Sequence, residues 1–209
     1  MEEHTLPTWL KWAREIQAIS QNGLTYSDSE YNRHRFRRLM EVAAEIVQSH
    51  TQLPKESVLQ NFLLQHGYAT PKIDVRGAVI RDEKILLVRE CSDKRWAMPG
   101  GWADVGEIPS NMVVREVWEE SGLEVLPRKV IGVYDANRGN TPLSFYHAYK
   151  IVFLCEIIGG HSRPGDETIA VDFFGFDQLP PLSTERTNRR HLSEVLAHLK
   201  DYSRPAAFD

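Results

Sequence analysis

The sequence is poor in cysteine and has no long apolar run. Its 209 residues include two cysteines, Cys91 and Cys155, which are too few for a disulfide framework and lack metal-ligand spacing. This usage favours a cytoplasmic location. The longest apolar stretch, residues 151–155, is far below the roughly 18 to 20 residues that a bilayer span requires. The first residues carry acid where a secretory signal has a basic region, so we expect neither membrane insertion nor export.

The composition is that of an ordinary globular chain, with 42% hydrophobic and 26% charged residues. These fractions exclude intrinsic disorder, collagen and coiled-coil arrays. The formal net charge is -4 at pH 7, and residues 101–123 alone hold five acids and one base. Because that short segment accounts for the whole imbalance, the rest of the chain gives no charge-based reason to expect nucleic-acid binding.

The first third of the chain has a helical period. Apolar residues recur there at steps of three and four, which predicts three helices. We expect Gly23 to end the first helix as a left-handed cap and Pro54 to open the third at a first-turn position. Ser27 or Asp28 can cap the second. Residues 1–68 are therefore predicted to form a small all-α domain.

The rest of the chain has the pattern of a layered α/β domain. Alternating apolar and polar residues predict several strands, with a turn at Asp82-Glu83 between the first two. The predicted strands cover residues 73–79, 84–88, 128–134, 144–157 and 171–174. The predicted helices lie near residues 109–121 and 187–201. Residues 72–209 should therefore form one α/β domain in which helices pack on a sheet.

Three carboxylates fall on one side of the first of these two helices. At about 100° per residue, Glu119 and Glu120 lie roughly −60° and +40° from Glu116, so all three share one arc. The opposite side carries the apolar residues that are predicted to pack on the sheet: Val114, Val117 and Trp118. Carboxylates about 5 Å apart repel by roughly 3 kcal/mol per pair at an effective dielectric constant near 20. The cluster is therefore either a solvated helix face or a site for a divalent cation.

The neighbouring residues favour the metal interpretation. Oxygen ligands point to Mg²⁺, with Mn²⁺ as a substitute. Gly101, the last residue of Pro99-Gly100-Gly101, can bring a backbone carbonyl close to an ion, since glycine lacks a Cβ. Glu107 can pair with Arg115 and hold the preceding loop against the helix. Alternatively, Glu107 is an acid favoured at a helix N-terminus.

This segment resembles the Nudix box, G-x5-E-x7-R-E-U-x-E-E-x-G-U, in which U is aliphatic. All of its specified positions are matched, by Gly101, Glu107, Arg115, Glu116, Val117, Glu119, Glu120, Gly122 and Leu123. The resemblance implies an α/β/α sandwich with a mixed sheet. It also implies Mg²⁺-dependent hydrolysis of the pyrophosphate bond of a nucleoside diphosphate linked to another moiety X.

The resemblance also implies roles for the individual residues of the box. Glu119 and Glu120 resemble the principal metal ligands, and Glu116 resembles a further ligand or the general base. Gly101 resembles the residue that supplies a carbonyl ligand, and Arg115 the residue that orients the glutamates. Water is the implied nucleophile, so the chemistry needs no nucleophilic side chain.

Three candidate residues lie outside the box. The family often draws a general base or an extra ligand from a loop before a late strand, and Glu167 occupies such a place in the order. Its alternative interpretation is an ordinary loop acid. Arg89 and Arg95 could clamp a substrate phosphate, and surface ion pairing is their alternative.

The N-terminal helices resemble those of a Nudix subgroup that acts on X-linked nucleoside diphosphates and includes CDP-choline pyrophosphatases. Residues 180–187 also resemble that subgroup. The likeness implies a homodimer that converts CDP-choline into CMP and phosphocholine, in which residues 1–68 serve dimerisation or cover the substrate. A signature of ADP-ribose enzymes, a proline about 15 residues after the box, is absent, because Arg138 occupies that position. ADP-ribose and nucleotide-sugar hydrolysis, RNA processing and non-catalytic ligand sensing are the alternative functions.

A basic run in the predicted second helix raises the question of DNA binding. The run, residues 33–38, contains four arginines, but their angular positions spread around the helix and form no coherent stripe. Glu30 and Glu41 lie three or four residues away as partners. We therefore expect a small-molecule substrate and no nucleic-acid partner.

Overall fold

The computed structural model describes residues 7–137 and 145–209. Over these residues the chain has five helices and eight strands, and none of the helices is long and apolar enough to cross a membrane. The described chain divides into two compact units, one made of residues 7–71 and 145–147 and one made of residues 72–137 and 148–209. We describe each unit by itself.

The first unit is a bundle of three helices. They are α1 (Thr8–Tyr26), α2 (Glu30–His50) and α3 (Lys55–Leu63). Small and medium apolar side chains fill the space between them, namely Ala13, Met40, Ala43, Ala44, Val47, Val58 and Phe62. The Phe145 ring lies 4.7 Å from that of Phe62, so this later segment is part of the same small core. The three predicted helices are thus present.

The predicted helix ends differ from those in the structure. Gly23 was expected to end α1, but the helix continues to Tyr26. A Cβ on Gly23 would lie 2.4 Å from the ring of Phe36, so this glycine lets α1 and α2 approach closely. The cap of α2 is Ser29, whose side chain accepts a hydrogen bond from Asn32 N, and Pro54 is the N-cap residue of α3.

The basic run of α2 lies among acids and carbonyl groups. Arg33 donates to the backbone carbonyl of Leu24, and Arg38 forms ion pairs with Glu41 and Glu45 at 2.9 and 3.0 Å. Arg35 lies over the ring of Tyr31. These contacts use much of the positive charge of the run within the helical unit.

The second unit is built on a mixed sheet. Its strands are β1 (Lys72–Arg81), β2 (Lys84–Glu90), β3 (Trp96–Ala97), β4 (Gly100–Trp102), β5 (Leu123–Asp135), β6 (Ala148–Gly160), β7 (Thr168–Phe174) and β8 (Ala207–Phe208). The sheet order is β3-β2-β1-β6-β5-β8, with β4 paired to β1 and β7 to β2. Strands β1 and β6 are parallel, whereas β1 and β2 are antiparallel. The predicted turn at Asp82-Glu83 joins β1 to β2.

Two helices cover opposite faces of the sheet. Helix α4 (Pro109–Ser121) packs Met112, Val113 and Val117 onto one face. Helix α5 (Arg189–Lys200) packs Leu192 and Val195 onto the other. The unit is therefore an α/β/α sandwich with a mixed sheet, and the predicted fold class is confirmed.

Strand β5 begins earlier than predicted, because α4 turns directly into it. Gly122 caps α4 in the left-handed region, with φ of 72°, and the strand starts at the next residue, Leu123. A Cβ on Gly122 would lie 2.5 Å from the carbonyl oxygen of His161, so both its conformation and its surroundings require glycine. This tight turn sets the C-terminal end of α4 against the sheet.

Candidate active site

The three box glutamates lie on α4 in three different environments. Glu120 is 7% exposed, the Glu116 side chain is 13% exposed and that of Glu119 is 46% exposed. The buried side of α4 includes Glu120 together with Val117, so the acidic and apolar faces overlap. Trp118, which the helical projection placed on the sheet side, is 47% exposed because the sheet contacts the helix along a line closer to Glu120.

Arg115 connects three acids of the box segment. Its Nε and Nη2 donate to the two carboxylate oxygens of Glu107 at 2.7 and 2.8 Å. Its Nη1 donates to Glu119 Oε2 at 2.7 Å and lies 3.1 Å from Glu116 Oε1. The hydrogen bonds from Arg115 lower the pKa of Glu107. Of the two interpretations of Glu107, the structure shows the pair with Arg115, which holds the loop before α4 against the helix.

Glu120 is aimed at the backbone of β4. Its Oε2 accepts a hydrogen bond from Gly100 N at 2.9 Å. Burial raises the pKa of Glu120 to about 8, and it does so against the opposing effects of Arg76 and of the Gly100 N–H group. The repulsion from Glu90 and Glu116 adds to the rise. The protein thus holds a carboxyl group whose negative charge is poorly compensated by its own residues.

Two glycines allow this close arrangement. A Cβ on Gly101 would lie 3.2 Å from Glu116 Oε2, so the carboxylate lies directly against the β4 backbone. A Cβ on Gly77 in β1 would lie 2.6 Å from Val117 Cγ2, so α4 approaches the sheet more closely than a larger residue would permit. The structure therefore brings the predicted Gly101 to Glu116, one of the predicted metal ligands.

The loop before β7 packs on the C-terminal end of α4. Thr168 Oγ1 donates to the Glu120 carbonyl at 2.9 Å, and a Cβ on Gly165 would lie 1.9 Å from the Glu119 carbonyl oxygen. Glu167 itself is exposed, and its carboxylate contributes to raising the pKa of Glu90, after burial and Asp93. The structure therefore places Glu167, the acid predicted outside the box, near Glu90. Its role as general base stays a prediction.

The two predicted phosphate clamps lie at the β2–β3 connection, and both are exposed. The Arg95 carbonyl accepts a hydrogen bond from Glu90 N at 2.9 Å, which places the Arg95 backbone next to that of Glu90. Arg89 Nε donates to the Lys94 carbonyl at 2.8 Å. Since residues alternate along β2, the Arg89 side chain leaves the sheet on the face opposite to that of Glu90. The structure thus brings the backbone of Arg95 to Glu90, whereas the Arg89 side chain lies on the opposite face.

Glu90 is a site acid that the sequence reasoning missed. It is 6% exposed at the end of β2, and its Oε1 lies 3.3 Å from Arg186 Nε. Burial raises the pKa of Glu90, while Arg186 and Arg76 oppose the rise. A sequence signal existed: Glu90 continues the buried alternation of Leu86 and Val88, where an apolar residue is expected.

A buried ion pair lies beneath the site in β1. The Asp74 carboxylate accepts from Arg76 Nε at 2.8 Å and from Nη2 at 3.2 Å, and Arg76 Nη1 donates to the Met98 carbonyl at 3.2 Å. Lys150 in β6 completes the group: it lies 3.9 Å from Asp74 Oδ2 and is 1% exposed. Lys150 Nζ donates to the carbonyls of Glu185 and Arg186 at 2.8 and 2.5 Å.

Lys150 should make the free energy of unfolding depend on pH in the alkaline range. Burial lowers its pKa from 10.5 to about 8, so the folded protein binds fewer protons than the unfolded chain between those values. The free energy of unfolding therefore rises with pH across this window by about 3 kcal/mol from this group, and the contribution is absent below pH 8. We expect urea unfolding from pH 7.5 to 10.5 to show this rise in the wild type relative to Lys150→Met. Equal slopes in the two proteins would contradict it.

The residues of the cluster fit a divalent cation by their chemistry. In the described part of the chain no three His, Cys, Asp or Glu side chains lie close enough together to hold a metal ion. The donors are nevertheless oxygen atoms, and the raised pKa of Glu120 indicates negative charge that a cation would offset.

Comparison with known proteins identifies the class. A family model described as the NUDIX domain matches residues 71–196, so the chain belongs to the Nudix family and is a Nudix hydrolase. Hydrolases of this family generally use divalent metal ions.

A second family model refines the assignment. The model of the UDP-X-like, N-terminal oligomerisation domain matches residues 7–62. A relative from Bacillus subtilis (strain 168), YjhB, provisionally named an ADP-ribose pyrophosphatase, is 39% identical over 201 residues, which are 96% of this chain and 97% of the relative. The predicted membership of the Nudix subgroup with an N-terminal helical region is thus confirmed.

Two solved structures show the same architecture. A UDP-X diphosphatase is 30% identical, with a TM-score of 0.62 over 96% of this chain and 98% of its own. An ADP-ribose pyrophosphatase from Streptococcus suis 89-1591 is 38% identical, with a TM-score of 0.61 over 67% of this chain and 100% of its own.

Proposed function

We propose that the chain is a Mg²⁺-dependent hydrolase of the pyrophosphate bond in nucleoside diphosphates linked to X. The observation that carries the proposal is the buried Glu120, held by Gly100 N at 2.9 Å, next to Glu116 on the same helix and with its pKa raised to about 8. A carboxyl group in this state is suited to a cation that arrives with an anionic substrate. The complete Nudix box supports the same reaction.

Each residue has a defined part in this proposal. Glu116, Glu119 and Glu120 would hold the ion, with the backbone carbonyl of Gly101 as a further oxygen donor. When bound, the ion would neutralise charge on the phosphates and act as a Lewis acid on the phosphoryl oxygens. Arg115 keeps the acids in position through its bonds to Glu107 and Glu119. Glu116 or the exposed Glu167 accepts the proton of the attacking water.

For the identity of X, we propose CDP-choline, which would yield CMP and phosphocholine. The resemblance of the helical region and of residues 180–187 supports this substrate. ADP-ribose is the second candidate, because YjhB and the Streptococcus suis protein are named for it. The signature position that speaks against ADP-ribose, Arg138, lies outside the described residues. The cytoplasmic location stays a prediction from cysteine usage.

A substrate panel tests the proposal. Purified protein is incubated with Mg²⁺ and CDP-choline, ADP-ribose, a UDP-sugar or 5′-capped RNA, and the products are separated by anion-exchange chromatography. We expect release of a nucleoside monophosphate from at least one small diphosphate, with CDP-choline turned over fastest. Turnover of RNA alone would favour the RNA-processing alternative. Inertness toward the whole panel would defeat the enzymatic proposal and favour a ligand sensor.

We further propose that residues 1–68 form the dimerisation domain and residues 72–209 the catalytic domain. Helix α1 exposes Trp12, Ile19 and Tyr26 by 58%, 50% and 66%. These residues are spaced by seven, so they lie along one side of the helix. An exposed apolar stripe of this kind is suited to burial against the same stripe of a second copy. The match to an oligomerisation domain supports this use.

Introducing charge into the stripe should dissociate the dimer. Ile19→Glu places a carboxylate where apolar side chains would be buried, and we expect a shift from dimer to monomer at micromolar concentration. Light scattering coupled to size-exclusion chromatography measures the mass. Leu64→Glu is the matched control, because Leu64 is 71% exposed at the end of α3 and outside the stripe. The proposal fails if Ile19→Glu elutes with the mass of the wild type.

A further inference from the structure

The segment between β7 and α5 is fastened to β3 and to the residues next to it. Trp96 N donates to the Pro181 carbonyl at 3.0 Å, and Ser183 N donates to the Trp96 carbonyl at 2.8 Å. Thr187 Oγ1 accepts from Met98 N at 2.8 Å. Lys150 Nζ donates a hydrogen bond to the carbonyl of Arg186. The backbone of this segment therefore has a fixed position relative to β3 and β6.

Arg186 extends from this fixed segment into a set of oriented acceptors. Its Nη1 donates to Ser183 Oγ at 3.0 Å and its Nη2 to Ser92 Oγ at 3.2 Å. Its Nε lies 3.3 Å from Glu90 Oε1, and Nη1 lies 3.7 Å from Asp93 Oδ2. These contacts hold the plane of the guanidinium group, which has five N–H donors in a rigid fork.

The guanidinium group keeps an accessible edge despite these contacts. The Arg186 side chain is 30% exposed, whereas that of Arg76, the other cation beside Glu90, is 5% exposed. Arg76 is also committed to Asp74 and to the Met98 carbonyl. Hydrogen bonds within the described residues account for one proton on each Nη of Arg186, and Glu90 Oε1 lies 3.3 Å from Nε without accepting a hydrogen bond, which leaves N–H groups for a ligand.

The charges around this edge of the guanidinium group favour the binding of a phosphate. Thr187, the residue after Arg186, accepts a hydrogen bond from Met98 N, and Gly100, two residues after Met98, donates to Glu120. The segment that carries Arg186 therefore lies near the proposed cation site. A pyrophosphate group approaching Glu116, Glu120 and Glu90 meets strong repulsion, which an oriented arginine beside them would reduce.

We propose that Arg186 binds a phosphate of the nucleoside diphosphate substrate, with its guanidinium group oriented by Glu90 and Ser92. The ligand class is a diphosphate ester, and the assignment rests on the function proposed above. Glu90 and Asp93 are positioning residues for the guanidinium. In a purely structural role, Arg186 would only link the Ser92–Asp93 turn to residues 183–187 and would have no direct effect on phosphate affinity.

A ligand cycle in the full chain separates the two roles. Affinities for ADP and adenosine, and for CDP and cytidine, are measured by ligand-observed NMR in EDTA at constant ionic strength. The ratio of diphosphate to nucleoside affinity isolates the phosphate contribution. We expect Arg186→Gln to reduce this ratio by roughly 10- to 100-fold, the range of a charge-assisted hydrogen-bonding group. A loss of structure would weaken nucleoside and diphosphate together and leave the ratio unchanged.

Two further variants make the experiment decisive. Arg186→Lys keeps the charge but loses the fork, so we expect an intermediate ratio, and this variant decides the question if Arg186→Gln does not fold. Arg189→Gln, an exposed arginine three residues away, should keep the wild-type ratio. Wild-type ratios in both Arg186 variants would overturn the assignment. The affinity measurement needs no turnover. If no substrate of the panel is hydrolysed, the proposed function fails, but the affinity ratios still decide whether Arg186 binds phosphate.

Discussion

Replacing Glu120 with Gln should lower kcat/KM for the preferred substrate by at least about 10²-fold. Glutamine keeps the shape of the side chain, and its carbonyl oxygen can still accept the Gly100 N hydrogen bond of 2.9 Å. It cannot carry the negative charge that the proposed cation needs. Two quantities should therefore fall together. They are the activity measured with Mg²⁺ and the affinity for Mn²⁺ measured by electron paramagnetic resonance.

The fold of the Glu120→Gln variant should survive, which distinguishes this effect from unfolding. Burial raises the pKa of Glu120 from 4.5 to about 8, so above pH 4.5 the folded wild type must either keep this group protonated or bury its charge, and a neutral amide removes that cost. We expect an unfolding midpoint in EDTA at least as high as that of the wild type. Glu124→Gln, an exposed acid four residues later, should retain full activity. A fully active Glu120→Gln protein with intact metal binding would refute the proposed role.

Gly100→Ala should be among the most destabilising single substitutions in the Nudix domain. Gly100 has φ of +140°, and a Cβ at this position would lie 2.0 Å from the Val75 carbonyl oxygen. That oxygen belongs to the backbone of β1, which is paired with β4 at Val75–Gly101 and Arg76–Gly100, so it cannot move alone. We expect the free energy of unfolding to fall by about 4 kcal/mol from backbone strain and overpacking, measured by urea unfolding.

Gly106→Ala is the matched control for that substitution. Gly106 also has a positive φ, of +95°, but a Cβ there would meet nothing within 4 Å. It should therefore lose only the conformational part, about 1 to 2 kcal/mol. If the two variants unfold at the same urea concentration, the close approach of β4 to β1 is not what requires glycine at position 100.

The box could be located from the sequence because its chemistry is local. The spacing of Glu116, Glu119 and Glu120 along one helix depends on the 3.6-residue period alone. The helix bounds follow from Pro109 at its start and from Gly122, whose φ of 72° ends it. The pair of Glu107 and Arg115 was one of two interpretations of Glu107 that the sequence left open, and the structure forms it at 2.7 Å.

The helix ends of the first unit show where local reasoning was insufficient. Gly23 has the residue type of a C-cap, yet it lies within α1 because the ring of Phe36 on α2 occupies the space that a Cβ would need. A glycine that ends a helix and one that admits a neighbouring helix look alike in sequence. The difference depends on a contact between residues 13 positions apart in the chain.

The sequence by itself determined the layered α/β fold and the acids of the box, since both depend on residue spacing within single elements. The class of reaction followed from the resemblance of that segment to the Nudix box. Only the tertiary structure decided which of those acids is buried and which residues join them. Glu120 faces Gly100 and Glu119 faces solvent because the line along which α4 meets the sheet depends on packing at Gly77 and Val117. Glu90 and Arg186, separated by 95 intervening residues, become neighbours only when β2 and the segment before α5 fold together.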